Sequence, residues 1–201
     1  MRTAVILVAL ALMLGSLALG APGNVAIRDL PNHPFLTDLP PGASLRLYLR
    51  SGEIRIRGRE DNRLSVRYDG PSPGDFRELA VRFQLSSATA SLELDGGPDR
   101  DMHVVIEVPQ KTSLRVQMSA GSLDLDKIVG DKDVHLRAGD LTIALGDPND
   151  YARIHAAVLS GGLEAAPLGE FHGGLFRSFT RVGPGPYKLS ARVLAGELTL
   201  H

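Results

Sequence analysis

The chain has 201 residues, with 22 lysines and arginines against 23 aspartates and glutamates and a formal net charge of −1. That near-neutral balance excludes the dominant positive field that non-specific nucleic-acid binding needs. Cysteine is absent, which excludes disulfides, thiol catalysis, iron–sulfur and thiolate zinc sites, and lipid attachment through an N-terminal cysteine.

Residues 1–20 read as an export signal. Arg2 supplies the positive start, residues 4–14 the apolar run, and Ala18-Leu19-Gly20 the small residues that a signal peptidase accepts, which places cleavage before Ala21. The competing reading is an uncleaved anchor. No later segment is long and apolar enough to cross a membrane, so no span is expected after cleavage. Residues 21–43 form a Pro/Gly-rich lead-in, a linker or a loose first strand, which closes on the turn Leu39-Pro40-Pro41-Gly42. Residues 44–201 make a single β-repeat domain, long enough to bury one sizeable core.

From 44 to 68 apolar and polar residues alternate strictly. Leu45, Leu47, Leu49, Ile54, Ile56, Leu64 and Val66 point one way and Arg46, Tyr48, Arg50, Arg55, Arg57 and Arg67 the other, the period of strands with one buried face. A turn-forming loop follows at 69–75, then strands at 79–85, 89–94 and 102–108, the last stopped by Pro109. No glycine- and proline-free stretch carries a helical period, so helix content is expected to be low.

One phrase recurs along the domain: a small residue, a glycine, then alternating apolar positions. It occurs at Ser51-Gly52, Ala120-Gly121, Ala138-Gly139, Ser160-Gly161 and Ala195-Gly196, and the residues five and three before and two and four after each glycine are all apolar. The fold class is therefore all-β. If the small-Gly pair is a two-residue turn, positions 49 and 54 face each other in a hairpin, and several hairpins build a β-sandwich. If glycine turns a corner, each unit is a coil, and successive coils stack as a single-stranded β-solenoid of short strands. Alanine dislikes φ > 0, so Ala-Gly makes a poor primed turn, and the solenoid is the expected form. In it Leu123, Leu141 and Leu163 stack as one ladder and Val116, Val134 and Ala156 as another. An irregular insertion, 169–187, interrupts the last repeat.

With these residues in view, the chain resembles the bacterial β-strand-repeat family labelled putative adhesin, a domain of unknown function found in exported envelope proteins. The likeness covers about residues 36–201. It rests on Ser51-Gly52-Glu53-Ile54-Arg55-Ile56-Arg57-Gly58, Val105-Ile106-Glu107-Val108-Pro109, Ala138-Gly139-Asp140-Leu141-Thr142-Ile143, Gly174-Leu175-Phe176-Arg177-Ser178-Phe179 and Ala195-Gly196-Glu197-Leu198-Thr199-Leu200. The resemblance implies a right-handed β-helix-like fold outside the cytoplasm, in the periplasm or at the cell surface. It supplies no catalytic residues.

Asp124 and Asp126, two apart on one strand, with Asp140 at the next corner, are where a polysaccharide-cleaving enzyme would hold its acid and base; the plainer reading is a solvated face. Asp131, Asp133 and His135 alternate as cation ligands would, but registering the repeats by their glycines aligns Arg115, Asp133 and His155, which reads as a surface charge ladder. No nucleophile elbow and no phosphate loop is present. No catalytic, cofactor-binding or metal-binding residue is therefore assigned.

Two surface features remain. Seven arginines crowd residues 44–67 and seven aspartates residues 121–150, so Arg46, Arg50, Arg55, Arg57 and Arg67 form a candidate contact surface for anionic envelope polymer or for another protein. Phe171, Phe176 and Phe179, in the insertion with Tyr187, read either as a ligand-contacting loop or as a cap over the open apolar end. The function expected is a non-catalytic exported envelope or cell-surface module, structural or adhesin-like. The alternatives are a carbohydrate-active enzyme and an envelope sensor or regulatory partner domain.

Overall fold

All twenty apolar positions that flank the repeat glycines are buried, none more than 4% exposed. The computed structural model describes residues 24–70, 78–97 and 102–201. The expected export segment, part of the turn-rich loop after Tyr68 and the start of the lead-in lie outside the described residues.

The chain is all β. In order the strands are β1 (Asn24–Ile27), β2 (Phe35–Asp38), β3 (Ser44–Leu49), β4 (Glu53–Arg59), β5 (Arg63–Tyr68), β6 (Ala80–Ser86), β7 (Thr89–Asp95), β8 (His103–Pro109), β9 (Ser113–Asp126), β10 (Lys132–Ile143), β11 (Tyr151–Ala165), β12 (Glu170–Val182) and β13 (Tyr187–Leu200). Two short 3-10 turns, Pro148–Asp150 and Ala166–Leu168, are the only helical pieces among the described residues.

The strands form one open sheet folded along a line of glycines. β9, β10, β11 and β13 run straight through their Ala-Gly or Ser-Gly pair, while β3 and β4 lie on either side of theirs. Leu49 pairs with Met118 and Ile54 with Leu123, not with each other. The phrase is thus a corner in the chain path, and the two arms on either side of it enclose a common interior. Gly52, Gly121, Gly139, Gly161 and Gly196 all hold φ between 112° and 136°, where L side chains are strained. They are also packed against one another: a Cβ built on Gly139 collides with the carbonyl oxygen of Gly121, and one on Gly196 with that of Gly139.

Like positions stack in parallel register. One row runs Ile54, Leu123, Leu141, Leu198, Leu163 and another Leu47, Val116, Val134, Ala191, Ala156. The expectation of strictly successive coils is corrected here. β13, the last strand, inserts between β10 and β11, so that Leu198 separates Leu141 from Leu163. The cause lies in β12, which folds back antiparallel on β11 through the 3-10 turn and Gly169. Opposite the buried Ile154, Ala156, Val158, Leu163 and Ala165 it places Arg181, Phe179, Arg177, His172 and Glu170. A strand with charges at its inward positions can only be terminal, so β13, apolar inward, takes the place on β11's other side.

The lead-in contributes β1 and β2, which pair antiparallel with β6 and β5, and it buries Leu30, Phe35 and Leu39. A second departure concerns Lys132. A lysine, it nevertheless occupies an inward row between Leu114 and Leu189 and is 2% exposed. Its stem lines the core, and its ammonium donates to Tyr151 Oη at 2.6 Å, which in turn donates to the carbonyl of Leu145 at 3.0 Å.

Candidate functional site

The glycine register also aligns the outward side chains. Four places before the glycine stand Tyr48, Gln117 and His135, adjacent in the ladder, with Glu93 of β7 on the far side of Tyr48. Two places before it stand Arg50, Ser119 and Arg137, at the corner, where the ladder skips a residue and the carbonyl of Arg50 accepts from the N–H groups of both Ser119 and Ala120. β7 ends at Asp95 just as the longer strands bend.

These residues line a groove of about 610 Å³, with the edges of Leu49, Leu94 and Met118 as its apolar part. Tyr48 is 40% exposed. Its ring offers a flat amphipathic surface, Arg50 and Arg137 offer donors, Glu93 and Asp95 acceptors, and Gln117 both. Such a lining suits a hydroxyl-bearing or mixed-charge ligand held by contacts alone. Asp95 also accepts from Arg82 at 2.8 Å, and His135 Nε2 donates to Asp133 at 3.0 Å, which ties down both rims.

The arginines singled out in sequence do not form one patch. Arg46 and Arg50 stand on one arm and Arg55 and Arg57 on the other, where they are register neighbours of Asp124 and Asp126. Arg55 pairs with Glu53 at 2.5 Å and Arg67 with Asp69 at 3.0 Å. Opposite charges therefore alternate across adjacent strands. Asp140 pairs with Ser122 and Glu197 in the ladder, one row away from the Asp124–Thr142 pair, so the three aspartates are not brought to a common point.

Asp133 is shared by Arg115 Nε at 3.0 Å and by His135, and Asp131 accepts from the backbone N–H of Lys188 at 2.8 Å. The expected ladder of Arg115, Asp133 and His155 is corrected at its third member: Ser190 of β13 stands between, and His155 Nδ1 shares a hydrogen bond with Thr180 Oγ1 at 3.0 Å.

The aromatic insertion divides. Phe179 is half-buried against the core, as is Tyr187, whereas Phe171 is 62% and Phe176 78% exposed. The cap is β12 itself, and of the phenylalanines only Phe179 contributes to it by burial. Sequence reasoning missed the groove around Tyr48, although the register that found the core would have aligned Tyr48, Gln117 and His135 had the outward rows been read the same way.

Lys132 and Tyr151 carry the large titration shifts. Desolvation lowers the Lys132 ammonium from 10.5 to about 8, partly opposed by Asp131 and Asp150. Burial and then Asp150 push the Tyr151 phenol up to about 12. Both groups are enclosed by core residues, and their hydrogen bonds are to each other and to backbone, which makes the pair a buried polar link in the core.

No family model matches the sequence, and no curated protein is a significant match. Among solved structures, the chain is similar to a putative cell adhesion protein from Clostridium sporogenes at 14% identity and TM-score 0.50, over 90% of this chain and 99% of that one. It also aligns with a putative adhesin from Bacteroides fragilis at 11% identity and TM-score 0.33, over 88% of this chain and 97% of that one. At such identity the first likeness shows the shared all-β fold.

Proposed function

We propose that this chain is a non-catalytic, exported surface or envelope module of the adhesin-like β-repeat kind, which holds a polar polymer by contacts along its outer faces. The observation that carries this reading is the groove at Tyr48, where an exposed aromatic ring lies among donors and acceptors from four strands. Rigid strands fix those side chains at ladder spacing, which suits a repeating ligand. The export signal at residues 1–20 and the name borne by the Clostridium sporogenes structure agree with a place outside the cytoplasm. Among the described residues no helix is long and apolar enough to cross a membrane.

The test is a glycan and envelope-polymer binding screen of the purified protein, with a Tyr48→Ala, Arg137→Ala double variant in parallel. A ligand whose affinity falls about tenfold or more in the variant, with thermal stability kept, is the expected result. Binding that the double variant leaves unchanged, or turnover of the polymer, overturns the reading.

A further inference from the structure

Among the described residues β12 pairs with β11 alone and so presents an open edge. At 13 residues it is far longer than β1 and β2, the four-residue strands that close the opposite end. Long open edges recruit further strands, and proteins commonly shorten or cover them. Here the edge is also apolar. Leu175 is 60%, Phe176 78% and Val182 76% exposed, and at the outer corner Phe176, Leu159 and Leu194 occupy the positions that the ladder skips on three successive strands, β12, β11 and β13. Phe176 holds φ 55°, a left-handed conformation that strains a bulky residue, and its exposure returns nothing to the fold. Strain kept at an exposed aromatic points to a contact outside the chain.

The inward positions of β12 identify the occupant. Their charges reject another apolar coil, yet they are complementary to themselves. When two β12 strands run antiparallel with Leu175 of one opposite Phe176 of the other, Glu170 faces Arg181 and His172 faces Phe179, each match occurring twice about the two-fold axis. Inward residues then meet inward residues, and Gly174 of each strand stands opposite Arg177 of the other, so the two bends lie symmetrically beside the axis. Within the chain Glu170 already accepts from His172 at 2.7 Å, whereas the Arg181 guanidinium has no hydrogen bond or ion pair among the described residues.

We infer that β12 is a homodimer interface, through which a second copy of this chain continues the sheet edge to edge in that register. The two β12 caps abut, and the apolar ridge of Leu194, Leu159 and Phe176 meets its counterpart across the axis.

Sedimentation velocity of the purified chain over a concentration series tests it. The wild-type protein is expected to be a dimer that dissociates at low concentration. Glu170→Arg and Arg181→Glu should each raise the dissociation constant about tenfold or more, and the double swap should restore it. Phe176→Gly, which relieves the backbone, should weaken the dimer without lowering the melting temperature of dilute protein. Should Glu170→Arg fail to fold by circular dichroism, Arg181→Glu, at an exposed position, carries the test. A wild-type monomer up to the solubility limit overturns the inference, as does a dimer that neither single swap weakens or that the double swap fails to restore.

Discussion

Gly139 lies directly against Gly121: the two are ladder partners, and a Cβ on Gly139 would overlap the carbonyl oxygen of its neighbour. The same holds for Gly196 on Gly139 and for Gly161 on Gly196. The corner of the sheet is thus a column of glycine backbones, required at each step by conformation and by close approach.

Gly139→Ala is therefore expected to lose on the order of 4 kcal/mol or to fail to fold, since backbone must move on two strands. Gly146→Ala is its control. Gly146 also has positive φ, 71°, but nothing lies within 4 Å of an added Cβ, so only the conformational cost of about 1–2 kcal/mol applies. Urea denaturation of both variants gives the comparison, and equal losses would show that crowding along the column is unimportant.

The Lys132–Tyr151 pair makes stability depend on pH in the alkaline range. Lys132 titrates near 8 when folded and near 10.5 when unfolded, so between those values the unfolded chain binds more protons and stability rises with pH, by roughly 3 kcal/mol. Tyr151 runs the other way: with its folded value raised from 10.0 to about 12, the folded state keeps a proton that the unfolded state releases, and stability falls across that window. The expected profile rises from pH 8 to about 10 and then declines. Lys132→Met should flatten the rising limb, and a rise that survives this change would assign it to other groups.

The two kinds of phenylalanine in the insertion separate by burial. Phe171→Ala, at a position 62% exposed, should change the stability of dilute protein by less than about 0.5 kcal/mol. Phe179→Ala, half-buried against the core, should lose about 1–2 kcal/mol. A Phe176→Ala, Phe179→Ala double variant should lose what the Phe179 change loses alone, which thermal melts would check. Equal losses for Phe171 and Phe179 would return the whole aromatic cluster to a capping role.

What could be read directly from the chain is what repeats along it. Alternation places Leu47, Leu49, Ile54 and Ile56 on one side of their strands, and the spacing from each glycine puts Leu123, Leu141, Leu163 and Leu198 in one row, because both signals come from local backbone geometry with a period of two. The order of the strands within that row is not local. β9, β10, β11 and β13 all present apolar inward positions and would pair with one another almost equally well, and only the charged inward face of β12 with its turn at Ala166–Leu168 forces β13 inside.

Tertiary structure alone also buried Lys132, by bringing Tyr151 from the next strand within reach of its ammonium, and it alone assembled the groove, whose side chains come from β3, β7, β9 and β10. Sequence thus determined which side of each strand meets the interior, a property of single strands. The fold decided which strands are neighbours, since that choice rests on small differences among many similar pairings summed over the whole sheet.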